Sequence, residues 1–480
     1  MTDPFVVVGG DAAGLSAASK CKRENPEREV IVFERGRWVS YAHCGMPYYV
    51  KGEVEALTDL LSLSPEEINE RGIDLRRGHE VVAVDTDSQT VTVDSSEGTT
   101  EQSYGELLVA TGAHALTAPF DGIGLDSVFT MHSMDSAAAL RASLEPPATA
   151  ETDVATAYAD QSLVRKYAAM EPPESVAVVG GGYVGVEMAE AFAAHDLAIH
   201  LFQRSERVLP PFGEAVGDAV CDRLAEKEIT LHLDTEVQAL EGEDGIETVV
   251  ADDGRTPVDA ALVGVGIRPN TGLVEETSVE LGESGAIAVD DYGRTSVESV
   301  YAAGDCAEMR HAVTGEPDWV PLGLTANRAG RAIGQTVAGD PEPVGDIAGT
   351  AVVKAFELEC GRVGILDHER AREAGFDPVT ETITAGSRSG YYPGGSDTTV
   401  TLTADRESGR VLGGAIVGED RAAVRIDTLA TALESDQTVA ELERLDLAYA
   451  PPFSPVWDPV LVAAKVLRGT VEAERDGQSR

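Results

Sequence analysis

Lysine is scarce in this chain. It occurs only at positions 20, 22, 51, 166, 227, 354 and 465, and with arginine it makes 37 basic residues against 83 acidic ones, a formal charge of -46. A surface of that sign repels nucleic acid and anionic membranes, so neither is expected as a partner. With 43% hydrophobic residues and regular apolar periodicity, the acidity coats a folded surface rather than marking a disordered tail. Salt screens such like charges, and a halophilic source is the preferred explanation. Cysteine is also sparse: the five, at 21, 44, 221, 306 and 360, are widely spaced and form no CxxC pair. That argues against a disulfide framework or a zinc site, and the nine histidines show no metal-ligand spacing, so no metal is expected and the compartment reads as reducing. No apolar run reaches the length of a membrane span, and MTDPFVVVGG enters a strand without a basic leader. The expectation is a soluble, cytoplasmic protein.

What the chain does contain is a repeat. The apolar runs 5–8 (FVVV) and 30–33 (VIVF) flank a glycine turn and a segment of helical spacing, and the same strand, turn, helix and strand recur over 175–202. Each such unit offers one helix N-terminus to one pyrophosphate, so two units imply two dinucleotides. The Pro/Ala/Thr/acid-rich stretch 145–161 between them reads as a linker or insertion. After residue 340 the nucleotide signals stop, and the alternating segments TTVTLTAD and VLGGAIVG precede a helical pattern at 421–435, which suggests an α+β domain.

The first turn reads Gly9, Gly10, Asp11, Ala12, Ala13, Gly14, with Asp11 in place of the middle glycine of GxGxxG. Glu34 follows twenty residues on, at the end of the next strand, where a carboxylate can bind ribose hydroxyls. A glycine-rich turn of some other α/β protein is the bland alternative. The second turn, Gly180, Gly181, Gly182, Tyr183, Val184, Gly185, is complete, but its following strand ends in Gln203 and Arg204 with Arg207 nearby. Arginine attracts a 2′-phosphate that a carboxylate would repel, which leans towards NADPH over NADH. Arg204 and Arg207 as solvated surface cations stay open. In TSVESVYAAGDCAE a strand delivers Asp305 just after Gly304.

GGDAAG, LLVATGA (with Ala110, Thr111 and Gly112), GVGIRPNT and YAAGD together resemble the flavin-dependent pyridine nucleotide-disulfide oxidoreductases. The resemblance implies an α/β fold of two Rossmann-like dinucleotide-binding domains plus a C-terminal α+β dimerisation domain. The implied division is 1–145 and 266–338 for FAD, 146–265 for NAD(P)H, 339–470 for dimerisation, and 471–480 as a frayed tail. It implies FAD on the first turn with Glu34 at its ribose and Asp305 at the ribityl chain, NADPH or NADH on the second turn, and Glu187 near the nicotinamide. Arg35, Gly266 and Leu322 join the implied cofactor contacts.

Many relatives use a CxxxxC pair beside the flavin, whereas SYAHCGMPYYV offers Cys44 alone. A single sulfur stores its oxidising equivalent as a mixed disulfide with a small thiol or as a sulfenic acid. If GMPYYV opens a helix with Pro47 in its first turn, Cys44 lies at the positive helix end, where thiol pKa falls. A buried inert cysteine is the alternative, and the other four are read as packing residues. Within the single-cysteine branch the chain resembles the coenzyme A-disulfide reductases, through SYAHCGMPYY, SRSGYYPGGS and DLAYAPPFSPVWDP. That branch implies a homodimer in which Tyr391 and Tyr449 reach the neighbouring subunit's cysteine, with Tyr392 a possible substitute for Tyr391. Core aromatics are the bland reading of both. It also implies coenzyme A contacts at Lys20, Arg23, Ser40 and His43. Rival expectations are an NAD(P)H oxidase or peroxidase, a polysulfide or persulfide reductase, disfavoured because no room remains for a rhodanese domain, and a redox sensor.

Overall fold

The computed structural model describes residues 3–117 and 120–478. Strand β1 (Phe5–Val8), helix α1 (Ala12–Glu24) and strand β2 (Val30–Glu34) form the first expected unit. Cys44 follows in a single 3-10 turn that runs into the short helix α2 (Met46–Lys51), with Pro47 at its start as expected. Strand β3 (Glu106–Val109) lies beside β1, in register from Phe5 opposite Glu106. The second unit is β4 (Ser175–Val179), α3 (Tyr183–Ala193), β5 (Ala198–Phe202) and β6 (Ala260–Val263). The chain then returns through β7 (Val300–Ala302) and the long helix α4 (Gly323–Val337).

Both sheets are parallel throughout and five-stranded. The first runs β7-β3-β1-β2 and ends in Asp74–Arg77; the second runs from Thr230–His232 through β5-β4-β6 to Val128–Phe129. Their central strands are buried on both faces, which is why they read as unbroken Val and Ile rather than as alternation. The C-terminal sheet is antiparallel, made of β8 (Ala351–Ala355), β9 (Leu358–Gly364), β10 (Pro378–Gly386), β11 (Asp397–Asp405) and β12 (Val411–Gly418), in the order β8-β9-β12-β11-β10. Helices α5 (Ala422–Glu434) and α6 (Pro459–Gln478) complete this α+β unit.

Two expectations need correction. The stretch 145–161 is no loose linker: Val154 and Ala159 are buried, Tyr158 stacks on Trp38 at 5.1 Å, and Asp160 caps the helix Gln161–Ala168. Apolar residues hidden within its polar composition anchor it to the main core. Nor is the tail frayed from 471, because α6 continues to Gln478 and buries Val471 against the C-terminal sheet. Residues 479 and 480 lie outside the described residues. Among the described residues no helix is long and apolar enough to cross a membrane, and no three or more metal-ligating side chains cluster.

Helix α4 packs against α1 so closely that only glycine fits the crossing. A Cβ on Gly330 would fall on the carbonyl oxygen of Ala13, and one on Gly334 on that of Ala17. This contact fixes α1, and therefore the first glycine turn, relative to β7. We expect Gly330→Ala to lower the melting temperature by several degrees, at a cost of about 1–3 kcal/mol, because backbone must move. Gly469→Ala, on an exposed turn of α6 with open space around it, should instead raise it, by about 1 kcal/mol of helix propensity. Thermal unfolding of the two variants checks both signs.

Candidate functional site

A single cavity of about 2160 Å³ is walled by both glycine turns, by the Cys44 segment and by β7's exit at Gly304 and Asp305. That is roughly twice the upper end of about 1,000 Å³ typical of a pocket for one small ligand. The two turns are built alike. Gly9 and Gly180 adopt φ of +113° and +108°, and a Cβ on either would strike the neighbouring strand's backbone. Glu34 accepts the Gly10 N–H at 2.8 Å, and Gln203 accepts the Gly181 N–H at 2.9 Å. Gly182, by contrast, has nothing within 4 Å of where its Cβ would stand. Its open backbone faces the cavity, and that room suits a pyrophosphate at the start of α3.

Gly14 and Gly185, expected as cofactor contacts, do not line the cavity. A Cβ on Gly14 would overlap the carbonyl oxygen of Gly9, and one on Gly185 that of Gly180. Both let helix and strand approach, and the contact with a ligand is left to other residues of each turn. The remaining expected cofactor positions do line the space: Ala12, Ala13, Arg35, Ala110, Thr111, Gly112, and, from the second half, Val184, Gly266 and Leu322. Thr111 is locked by donating to the Asn270 carbonyl at 2.7 Å while Asn270 donates back to its carbonyl at 2.8 Å. Asp305 is pushed upward in pKa, chiefly by burial, against a nearby His43 that pulls it down.

Cys44 is exposed to this cavity, whereas Cys21, Cys306 and Cys360 are buried and Cys221 is half-buried elsewhere. The expected lowering of its thiol pKa by α2 does not occur. Burial pushes the thiol up, and the Glu187 and Asp305 carboxylates push it further, against a backbone hydrogen bond that pulls it down. Glu187 itself is pushed up to about 7, mainly by burial, while the hydrogen bond donated by the Tyr48 hydroxyl at 3.1 Å works in the opposite direction. One helical turn along, Glu190 is buried between Lys51 of α2 at 2.7 Å and Lys354 of β8, and accepts the Phe356 N–H at 2.6 Å. The helix that starts at the cysteine is thus tied to α3 and to the C-terminal sheet at once.

Asp11 turns its carboxylate towards the cysteine segment, accepting the Tyr41 N–H at 3.0 Å and meeting His43 Nε2 at 2.6 Å. Ser40 adopts φ of +50° and donates its N–H to the Gly10 carbonyl at 3.0 Å. The expected substrate residues Lys20, Arg23, Ser40 and His43 all reach the cavity, but Lys20 is buried and already paired with Glu24. Sequence reasoning missed Arg71, Arg328 and Arg331, which line the same end of the cavity. The signal was available: Arg328 and Arg331 are three apart on α4, as Lys20 and Arg23 are on the α1 that it packs against. Ten Lys and Arg residues line the cavity against seven Asp and Glu, a reversal of the 37 to 83 ratio in the whole chain. The site is where this acidic protein gathers its positive charge.

Arg204 lines the cavity and, among the described residues, makes no ion pair, whereas Arg207 is held by Asp218 and by Glu206 at 3.1 Å and lies outside the lining. Tyr391 and Tyr449 are away from their own chain's cavity. Both are exposed, at 77% and 47%, so the core-aromatic reading does not hold, and they lie within hydrogen-bonding reach of each other.

Residues 3–323 match the family described as pyridine nucleotide-disulphide oxidoreductase, and residues 350–459 match the dimerisation domain of that family. The chain is 40% identical over 471 residues to the NAD(P)H coenzyme A polysulfide/persulfide reductase of Pyrococcus horikoshii, covering 98% of this chain and 99% of that protein. It is 30% identical over 455 residues to the coenzyme A disulfide reductase of Staphylococcus haemolyticus, covering 94% and 96%. The solved NAD-dependent persulfide reductase from A. fulgidus shares the fold with a TM-score of 0.90 at 33% identity, covering 99% of this chain and 84% of that one.

The raised thiol has a direct readout. Alkylation of Cys44 by iodoacetamide should inflect above the ordinary thiol value of about 8.5. In Glu187→Gln the inflection should move down, because an anion that disfavours the thiolate is gone, yet stay high because burial is the larger cause. An inflection in the wild type below the ordinary value contradicts this account of the site.

Proposed function

The chain belongs to the pyridine nucleotide-disulphide oxidoreductase family, whose members use FAD and NAD(P)H, and from that premise we propose that it reduces a sulfur–sulfur bond carried by coenzyme A. The observation that carries the proposal is one cysteine, Cys44, exposed in a cavity walled by two dinucleotide turns with no second cysteine among its lining residues. The first turn with Glu34 and Asp305 would hold FAD, and the second turn with Gln203, Arg204 and Glu187 would hold the nicotinamide cofactor. The open backbone at Gly182 and the cavity's excess of cations support that assignment. FAD, when bound, supplies a two-electron carrier between hydride and sulfur, which no side chain provides.

Cys44 Sγ, after its thiol proton has passed to water, attacks one sulfur of coenzyme A disulfide as the thiolate. A bond forms between the two sulfurs, the substrate bond breaks, and the electron pair leaves on the other coenzyme A sulfur. Tyr449 of a second copy, with Tyr391 beside it, donates a proton to that leaving thiolate without introducing charge of its own. Two electrons from NAD(P)H then split the mixed disulfide and return Cys44 as thiolate with a second thiol. Sharing the site in this way requires a homodimer, which the dimerisation-domain match supports. Cations at Arg23, Arg71, Arg328 and Arg331 suit the phosphates of coenzyme A.

A coenzyme A persulfide is a second reading, favoured by the higher identity to the Pyrococcus horikoshii protein. That protein is matched over 99% of its length, so the name persulfide reductase does not demand an appended rhodanese domain, and the expectation built on its lack of room falls away. The same cysteine serves either bond.

The test is anaerobic turnover of the FAD-loaded protein with coenzyme A disulfide, coenzyme A persulfide or hydrogen peroxide. Either coenzyme A substrate should be preferred to peroxide, Cys44→Ser should lose at least about a thousandfold in turnover, and a thiol-releasable coenzyme A adduct should appear on Cys44 by mass spectrometry. Peroxide as the best substrate, or full activity in Cys44→Ser, sinks the proposal. For the nicotinamide cofactor, Arg204→Ala should raise the KM for NADPH about tenfold, the worth of one charge-assisted hydrogen bond, and leave that for NADH unchanged. Arg207→Ala should do neither.

A further inference from the structure

One buried guanidinium outside the cavity bridges the two loops that carry the exposed tyrosines and the turn that leads into α5. Arg425, on the first turn of α5, is 7% exposed. Its Nε donates to Asp458 Oδ2 at 2.9 Å, its Nη1 to the carbonyls of Arg421 and Asp420 at 3.0 and 3.1 Å, and its Nη2 to the carbonyls of Ser387 and Phe453 at 2.8 and 3.5 Å. An arginine has five N–H donors in a rigid fork, and here there are five acceptors. Ser387 opens the 387–396 loop between β10 and β11, which carries Tyr391. Phe453 and Asp458 belong to the 449–458 segment, which begins with Tyr449 and ends at the start of α6.

The remaining contacts reinforce the same two loops. Arg388 grips Asp420 through two bonds of 2.6 and 2.7 Å, and the Ser387 hydroxyl donates to the same carboxylate at 2.8 Å. The Ser396 N–H returns to the Ser387 hydroxyl at 3.0 Å and closes the loop's neck. In the other segment the Phe453 and Ser454 N–H groups bond the Ala450 carbonyl at 2.9 and 3.0 Å, and Ser454 donates to Asp458 at 3.1 Å. The Arg421 guanidinium lies 5.2 Å from the Phe453 ring centroid. Each loop is tied by its own hydrogen bonds, and, apart from the contact between Tyr391 and Tyr449 themselves, the side chain that bonds to both loops is that of Arg425. The tyrosines are exposed and are not held by a packed core, so this buried joint is the support behind their contact.

We infer that Arg425 is a positioning residue that sets Tyr391 and Tyr449 side by side as one proton-donating pair for the second copy's site. This rests on the proposed role of the two tyrosines. A lysine at 425 keeps the charge but offers three donors on a flexible stem, so it cannot bridge both loops.

The experiment is a double-mutant cycle in the FAD-loaded dimer. Arg425→Lys should lower kcat for coenzyme A disulfide about ten- to a hundredfold, with the KM for NAD(P)H and electron transfer from NAD(P)H to ferricyanide unchanged. In a Tyr391→Phe/Tyr449→Phe background the same substitution should have no further effect on kcat, because it acts only through those hydroxyls. An equal additional loss in that background, or a parallel fall in ferricyanide reduction, overturns the inference in favour of a general structural role. If the tyrosine double variant keeps wild-type turnover, the proposed proton donation is wrong; if it loses turnover while Arg425→Lys does not, the positioning role alone is wrong. Should Arg425→Lys not assemble, Asp420→Asn, which releases the neck of the Tyr391 loop, carries the same expectations and the same refutations.

Discussion

Backbone passing backbone with no side chain between them is the constraint on which this molecule rests. At Gly14 and Gly185 a helix meets the turn that precedes it, and at Gly330 and Gly334 helix α4 lies on α1 with carbonyl oxygens where a Cβ would stand. Because these crossings are so close, the N-terminal ends of α1 and α3, the strand end at Asp305 and the Cys44 segment converge on one space. Close-packed interiors tolerate no extra methyl there without moving a whole element. The placement of the cysteine is thus a consequence of glycine positions hundreds of residues away.

Charge is distributed against the grain of the composition. The surface bears a large excess of carboxylates, while the cavity collects arginines from α1, α4 and the loops between them. Such a reversal concentrates anionic ligands where the global field would repel them, and high ionic strength would weaken the repulsion more than the partly enclosed attraction. Around Cys44 the local balance is of the opposite sign. Burial disfavours its thiolate, and the Glu187 and Asp305 carboxylates add to it.

The same economy of buried charge recurs at two joints. Glu190 unites the cysteine helix, α3 and strand β8 through Lys51, Lys354 and a backbone N–H. Arg425 unites the two tyrosine loops through three of its bonds, to Ser387, Phe453 and Asp458. In both, one charged group whose valences are all satisfied bonds to several elements at once, which is where a buried ion fixes geometry more than it adds stability. The two joints lie at opposite ends of the chemistry proposed for this protein, at the sulfur and at the proton donors.

Much of this was legible in the linear chain. The two strand, turn and helix units, the positions of Glu34 and Gln203 at the ends of the second strands, the lone Cys44 before a short helix and the α+β character of the C-terminal domain all follow from period, spacing and glycine, because they are local. What the order of residues could not supply was environment. The helix after Cys44 is written in GMPYYV, but the burial that raises its thiol is not, and the Glu187 and Asp305 carboxylates that add to it arrive from 143 and 261 residues downstream. Likewise Tyr158 fell in a stretch that read as a linker or insertion until Trp38 met it, and Arg71, Arg328 and Arg331 were not singled out until the fold brought them to the cavity. Sequence determined which elements form, since hydrogen bonds and turns act between neighbours in the chain; tertiary structure alone decided which charges face one another, since desolvation and Coulomb interactions depend on distance in space.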